Sequence, residues 1–345
     1  MKKYPLFFAT PLALLFAICL SCNPAKTNNT PLKVGISPYQ DLAMIVNIKN
    51  LKLEEKYSTN VDLQTMNWEN ILPALASQGN TIDIGFGSLI EFLTKENNIN
   101  RGVEDPLVFI YPAYIFKGGG FITFNKTLPE INNSNINNSG FITNFFKNKI
   151  GAQKNSIYEM MLYSLARRGN FDISSIQIFN TSLNDGILAT KSGSLDIAAA
   201  GLTQISEAEK QNGKTILTME SLGFADVTGF VCKQSILESR RKDVENVIKM
   251  WYDCVNYVML DLDKNSKFSL QYLDEKAATK YTLEQYKSAL SQEYFPISLS
   301  ETKENIINKY SKFSYLRISS DVAAYLINNK IVTAKPLIPS FINIK

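Results

Sequence analysis

Two stretches of this chain echo one another, and that repeat narrows the folds open to it more than any other feature. Lys33-Val34-Gly35-Ile36 opens a segment that ends in Ala76-Ser77-Gln78-Gly79 and Asp83-Ile84. Lys149-Ile150-Gly151-Ala152 opens a second that ends in Ser192-Gly193-Ser194 and Asp196-Ile197. The two spans, 33–84 and 149–197, are nearly equal. In each, short apolar runs suited to strands alternate with stretches apolar at helical spacing. That order builds a parallel sheet with right-handed crossovers. Two copies predict two similar α/β lobes, and 345 residues exceed what one hydrophobic core usually fills. A ligand cleft between the lobes is the expected consequence, because pockets favour domain interfaces.

In the first copy the pattern predicts strands over 32–36, 61–66 and 81–86, with helices over 41–50, 68–77 and onward from Gly87-Ser88. In the second, a strand starts at Lys149, and Ser156 caps a helix carrying Ile157, Met160, Met161 and Leu165 on one face. Arg167, Arg168 and Gly169 close that helix. Strands are expected over 175–179 and 194–200, with a helix over 184–192 between them. The run 107–116, then Gly118-Gly119-Gly120 and 121–124, reads as the crossover between lobes, and 227–233 as the return. The three glycines suit a hinge or a close approach of backbone to ligand, or a plain hairpin turn. The long helix over 241–260 and the rest of the chain after the return are expected to pack on the first lobe. The domain reading is an export signal over 1–21, a tether over 22–31, a first lobe over 32–113 plus 227–345, and a second lobe over 114–226.

The N-terminus has the order of a signal peptide: Lys2 and Lys3, an apolar run from Leu6 to Leu20, then Ser21-Cys22. The run is shorter than a spanning helix needs. The polar stretch 23–30 suits a flexible tether. A net charge of +4, two units of it at Lys2 and Lys3, is too small to indicate nucleic acid, and no arginine-rich stripe accompanies it. The chain has no histidine. That removes the commonest general base, the Ser-His and Cys-His pairs and most zinc and iron sites, so no metal and no cofactor is expected. Cys232 and Cys254 are left either as two buried thiols or as a disulfide permitted by export.

Taken together, Val34-Gly35-Ile36-Ser37-Pro38, Ala74-Leu75-Ala76-Ser77 with Asp83-Ile84-Gly85, the start Lys149-Ile150-Gly151, the segment from Asp185 through Ser192-Gly193-Ser194-Leu195-Asp196-Ile197-Ala198, and the Trp251 helix resemble the substrate-binding proteins of bacterial ABC importers. The group concerned takes nitrate, taurine, alkanesulfonates and thiamine-precursor pyrimidines. Leu20-Ser21-Cys22 resembles a bacterial lipobox, with Cys19 where an aliphatic usually stands. The resemblance implies a two-lobed, type II periplasmic-binding-protein-like α/β fold, each lobe a mainly parallel sheet flanked by helices. It also implies a lipid on Cys22, an extracytoplasmic location, a monomer, a small-molecule solute, and an ABC permease and ATPase as partners. One departure stands out. Where the family often has Trp-Glu-Pro, this chain reads Leu202-Thr203-Gln204, which argues against a cationic or amine group held by that glutamate.

In parallel sheets ligands bind beyond the carboxyl ends of the strands. That rule selects Ser37, Tyr39, Gln40 and Asp41, Asn67 and Trp68, and Gly87 and Ser88 in the first lobe. In the second it selects Lys154, Asn155, Ser156 and Thr203, with Tyr114 and Gly119 reaching in from the crossover. Helix starts at Ser88 and Ser156, with Lys154, favour a sulfonate-like anion. Tyr39, Trp68, Tyr114 and Asp41 favour a thiamine-precursor-like heterocycle. Ser156 and Asp41 read equally well as helix caps alone, and Trp68 as lobe packing. Asp83 and Asp196, paired by the repeat, read as structural residues inside strands. An enzyme on the same fold is the weaker alternative. A ligand-binding sensor or surface lipoprotein is the other.

Overall fold

The computed structural model describes residues 30–344 apart from Asn80, Arg101, Asn133, Ala278 and Thr279. The expected export signal, Cys22 and most of the tether lie outside the described residues. The chain forms two five-stranded sheets. The first runs in the order β2-β1-β3-β10-β4, from β1 (Leu32–Ile36), β2 (Val61–Thr65), β3 (Ile84–Ser88), β4 (Leu107–Phe116) and β10 (Asp226–Lys233). The second runs β7-β6-β8-β5-β9, from β5 (Gly120–Thr123), β6 (Ile150–Ala152), β7 (Ile178–Asn180), β8 (Ile197–Ala200) and β9 (Lys214–Thr218). The two orders match strand for strand. In each sheet one strand runs antiparallel to both neighbours: β10 between β3 and β4, and β5 between β8 and β9. The sheets are therefore mixed, and the return run predicted over 227–233 is a full interior strand of the first sheet.

The repeat has a physical explanation in these sheets. Asp83 stands one residue before β3, and its Oδ2 accepts from the Lys33 backbone N–H at 2.9 Å. Asp196 stands one residue before β8 and accepts from the Lys149 N–H at 2.8 Å. Neither aspartate lies inside its strand as the pattern suggested. Each staples the start of the third strand of its lobe to the start of the first. The paired glycines, Gly35 and Gly151, make room for Ile82 and Leu195, whose Cδ1 atoms lie 2.5 Å from where a Cβ would stand.

Three local readings change. The segment 173–175 is a 3₁₀ turn and β7 begins only at Ile178, because the Asp172 carboxylate accepts from the Ser174 N–H and hydroxyl and competes with strand pairing. The helix expected over 41–50 is a 3₁₀ turn, Ala43–Val46, followed by one α-turn, Asn47–Asn50. The run Gly118-Gly119-Gly120 has no left-handed residue. Gly120 is needed because a Cβ there would meet the Leu217 carbonyl at 2.5 Å, a close approach of backbone to backbone rather than to ligand.

The helix Arg241–Leu260 lays Val247, Trp251, Val255 and Val258 on the first sheet, with Trp251 fully buried beside Phe86 at 5.1 Å between ring centroids. Cys232 and Cys254 are both free thiols in this core. The helix Tyr315–Asn328 packs on the helix Leu89–Asn100. Its Tyr325 ring lies 5.6 Å from that of Tyr163 in the second lobe. Among the described residues no helix is long and apolar enough to cross a membrane.

Candidate functional site

The chain leaves the first sheet at Phe116 and returns to it at Asp226, and the cleft lies between these two crossings. Its pocket encloses about 620 Å³ of empty space, mouth included. Tyr39, Gln40, Asp41, Trp68, Ser88 and Tyr114 line it from the first lobe, since β4 carries the first sheet on to Phe116, beyond the boundary expected at residue 114, and Thr203 lines it from the second. All seven were singled out from the sequence.

The other sequence candidates lie elsewhere. The Ser37 hydroxyl donates to the Met66 carbonyl at 3.0 Å and ties the ends of β1 and β2 together. Asn67 is exposed at the start of the helix Trp68–Ala76. Gly87 is buried in β3 against Val231 and Leu72. Gly119 stands behind the Tyr158 ring, its carbonyl accepting from the Met219 N–H. Lys154 and Asn155 are exposed. Ser156 is buried and caps the helix Ile157–Arg168 by accepting from the Tyr158 N–H at 3.2 Å.

Glu91, Gln153, Tyr158, Gln204, Asp226 and Thr228 complete the polar lining. Asp226 and Thr228 were missed because β10 is antiparallel, so it brings the amino end of a strand to the edge where its parallel neighbours bring their carboxyl ends. Glu91 sits one turn into a helix whose first residue alone was considered. A carboxylate three residues after a serine at a helix start is a capping-box pattern that could have drawn attention to it.

The electrostatics are acidic. Asp41 is 5% exposed. Its Oδ2 accepts from the Tyr114 hydroxyl at 2.5 Å, while Oδ1 is shut off from solvent with no hydrogen bond of ordinary geometry. Burial pushes this carboxyl up to about 6, against the pull of Tyr114 and the nearby Asp41 and Leu42 backbone N–H groups. Asp226 is 2% exposed, accepts from the Ser88 hydroxyl and receives the Ile90 N–H at 3.3 Å. Burial raises it to about 7, with Glu91 adding repulsion. Glu91 is raised by burial and accepts from the Trp68 indole N–H at 3.2 Å. Its nearest cation, Lys95, is 3.9 Å away on the same helix and does not line the pocket.

Near both helix starts that offered an anion site a protein carboxylate already takes a backbone N–H. Ser88 receives the Glu91 N–H at 3.1 Å while it donates to Asp226. At the second start, the Glu159 carboxylate takes the Asn155 N–H at 2.6 Å. Among the described residues no group of histidine, cysteine and carboxylates is placed to hold a metal.

The lobes touch across the cleft. The Thr203 hydroxyl donates to Gln40 Oε1 at 2.8 Å, an oxygen that also accepts from the Tyr281 hydroxyl of the first lobe at 3.4 Å. At the crossover the Lys117 N–H donates to Glu293 Oε2 at 2.6 Å.

Two sheets of one topology with a cleft between them define the periplasmic-binding-protein fold. The aliphatic sulphonate binding protein SsuA of Escherichia coli has it with a TM-score of 0.64 at 14% identity, over 89% of this chain and 94% of that one. The alkanesulfonate-binding protein SsuA of Xanthomonas axonopodis pv. citri, bound to MOPS, gives 0.64 at 14% identity over 89% and 96%. The nitrate-binding protein NrtA of Synechocystis PCC 6803 gives 0.57 at 14% over 74% and 68%. The desulfurization enzyme DSZB gives 0.57 at 8% over 89% and 94%, so the fold also carries catalysis. At these identities the likeness establishes the fold. No family model and no curated protein matches the chain.

Proposed function

We propose that this chain is an extracytoplasmic solute-binding lipoprotein of an ABC importer, which captures a small organic solute by lobe closure and delivers it to a permease. The observation that carries the reading is a pocket lined from both lobes and bridged by the Thr203–Gln40 hydrogen bond. A ligand held between the lobes stabilises the closed arrangement by the difference in its affinity for the two states. Of the two solute classes expected from the sequence, a heterocycle suits the aromatic, acidic lining, and a sulfonate-like anion does not. The fourteen candidate residues reduce, on this reading, to the seven that line the pocket. Lipid attachment at Cys22 and a monomeric state belong to the same proposal. A sensor using the same cleft is the second reading, and a neighbouring permease and ATPase gene pair, rather than a kinase, separates the two.

The test is native mass spectrometry of the purified full-length protein, followed by thermal-shift titration of organic solutes. A captured solute raises the midpoint in proportion to the logarithm of its concentration. A chain with native circular dichroism that no solute shifts speaks against capture. The anchor is tested separately. Metabolic labelling with an alkyne fatty acid is expected to tag the protein, and Cys22→Ser to abolish the tag.

A further inference from the structure

The charge of the solute is also written in the pocket. Three carboxyl side chains, Asp41, Glu91 and Asp226, line it, and no lysine or arginine does. Each is at least nine-tenths buried, and a carboxylate withdrawn from water without a counter-charge is strongly unfavourable. Asp41 and Asp226 have neutral internal partners, Tyr114 and Ser88, and Glu91 has the Trp68 indole with Lys95 3.9 Å away outside the pocket. Asp41 lines the pocket, and its Oδ1 has no hydrogen bond of ordinary geometry. Near the two helix starts Asp226 takes the Ile90 N–H and Glu159 the Asn155 N–H, while the Ser88 and Ser156 hydroxyls take the Glu91 and Tyr158 N–H groups.

Resting on the capture reading, we infer that the solute is an organic cation, a flat nitrogen compound whose positive N–H or N-alkyl group lies against Asp41 and whose ring lies among Tyr39, Trp68 and Tyr158. A cationic group against Asp41 supplies the missing counter-charge, and the aromatic rings add cation–π attraction. A sulfonate in the same place meets three carboxyl groups and no lysine or arginine. The charge class therefore differs from that of the sulphonate- and nitrate-binding proteins that share the fold.

Three probes of one ring and three charges test this: benzamidinium, benzamide and benzenesulfonate, titrated into the full-length protein in mild detergent. Fluorescence is a suitable signal, since the chain has two tryptophans, and of these Trp68 lines the pocket whereas Trp251 is fully buried in the first-lobe core. Benzamidinium is expected to bind roughly tenfold or more tightly than benzamide, the scale of one hydrogen bond to a charged group. Benzenesulfonate is expected not to bind. Asp41→Asn should bring the benzamidinium and benzamide affinities close together and leave benzamide nearly unchanged. Glu91→Gln makes the same comparison should Asp41→Asn fail to fold. Preference for benzenesulfonate, or a cation preference that survives both substitutions, overturns the charge assignment and leaves capture standing. A natively folded chain that binds none of the three overturns the assignment and counts against capture as well.

Discussion

Asp226 enters the fold as a group the folded state holds more tightly in its protonated form. Burial raises its carboxyl from 3.8 to about 7, outweighing the Ser88 and Ile90 hydrogen bonds. A carboxyl raised on folding contributes stability that is complete below its unfolded value and is lost as pH climbs through its folded value. The unliganded protein should therefore lose stability between about pH 4 and pH 7, with Asp41, raised to about 6, acting in the same direction. For Asp226 alone the full linkage is on the order of 4 kcal/mol. Asp226→Asn keeps the shape and removes the charge. Its amide must share the Ser88 hydroxyl, so the expected gain at pH 8 is smaller, roughly 1–3 kcal/mol. Denaturant midpoints across pH check this: a flattened slope in the variant is the expected result, and a slope like the parent's means another group carries it. The same residue marks where sequence reading stopped. Nothing in the run 226–233 says that its first residue arrives at the cleft, because that depends on which sheet the strand joins and in which direction.

At the scale of elements, the repeat was legible because its signals are local and occur twice. Lysine, a branched aliphatic and glycine at one end, with Asp-Ile at the other, mark the contact of a first strand with a third, and both lobes make it with the same atoms. What was not legible was made by distant contacts. β10 and β5 cross between lobes to become antiparallel interior strands. Pro112 sits where β4 slips register against β10 between Thr228 and Gly229, a bulge that accepts a residue without an N–H. The staple itself is open to test. Asp196→Ala leaves the Lys149 N–H without its side-chain acceptor and is expected to cost about 1–2 kcal/mol. Gly151→Ala pushes a methyl group into Leu195 and toward the Thr181 hydroxyl, at roughly 1–3 kcal/mol. Both should lower the denaturant midpoint with little change in its slope. A midpoint unmoved by Asp196→Ala would mean that the two strands hold their register without it.

Across the whole molecule, what connects the lobes decides how the cleft works. Glu293 holds the crossover through the Lys117 N–H, and the Tyr315–Asn328 helix bridges the rear through Tyr325 and Tyr163. Neither contact lies in the pocket. At its mouth the lobes meet through Thr203 and Gln40, a hydrogen bond between side chains. Such a bond contributes little in net terms, about 0.5–1.5 kcal/mol, and so biases closure without fixing it. A ligand of modest differential affinity can then move the equilibrium, whereas a heavily bridged mouth would leave it nothing to shift. Thr203→Val removes the hydroxyl and keeps the volume. On the capture reading it should loosen the closed arrangement and weaken solute binding by about two- to tenfold, mainly through faster release, because that reading has closure retain the solute. Stopped-flow release and the radius of gyration in solution read the two effects independently. A faster release rate with a larger radius supports a latch at the mouth. An unchanged radius with slower capture would instead place Thr203 against the solute itself, and closure would then rest on the crossover and the rear helix.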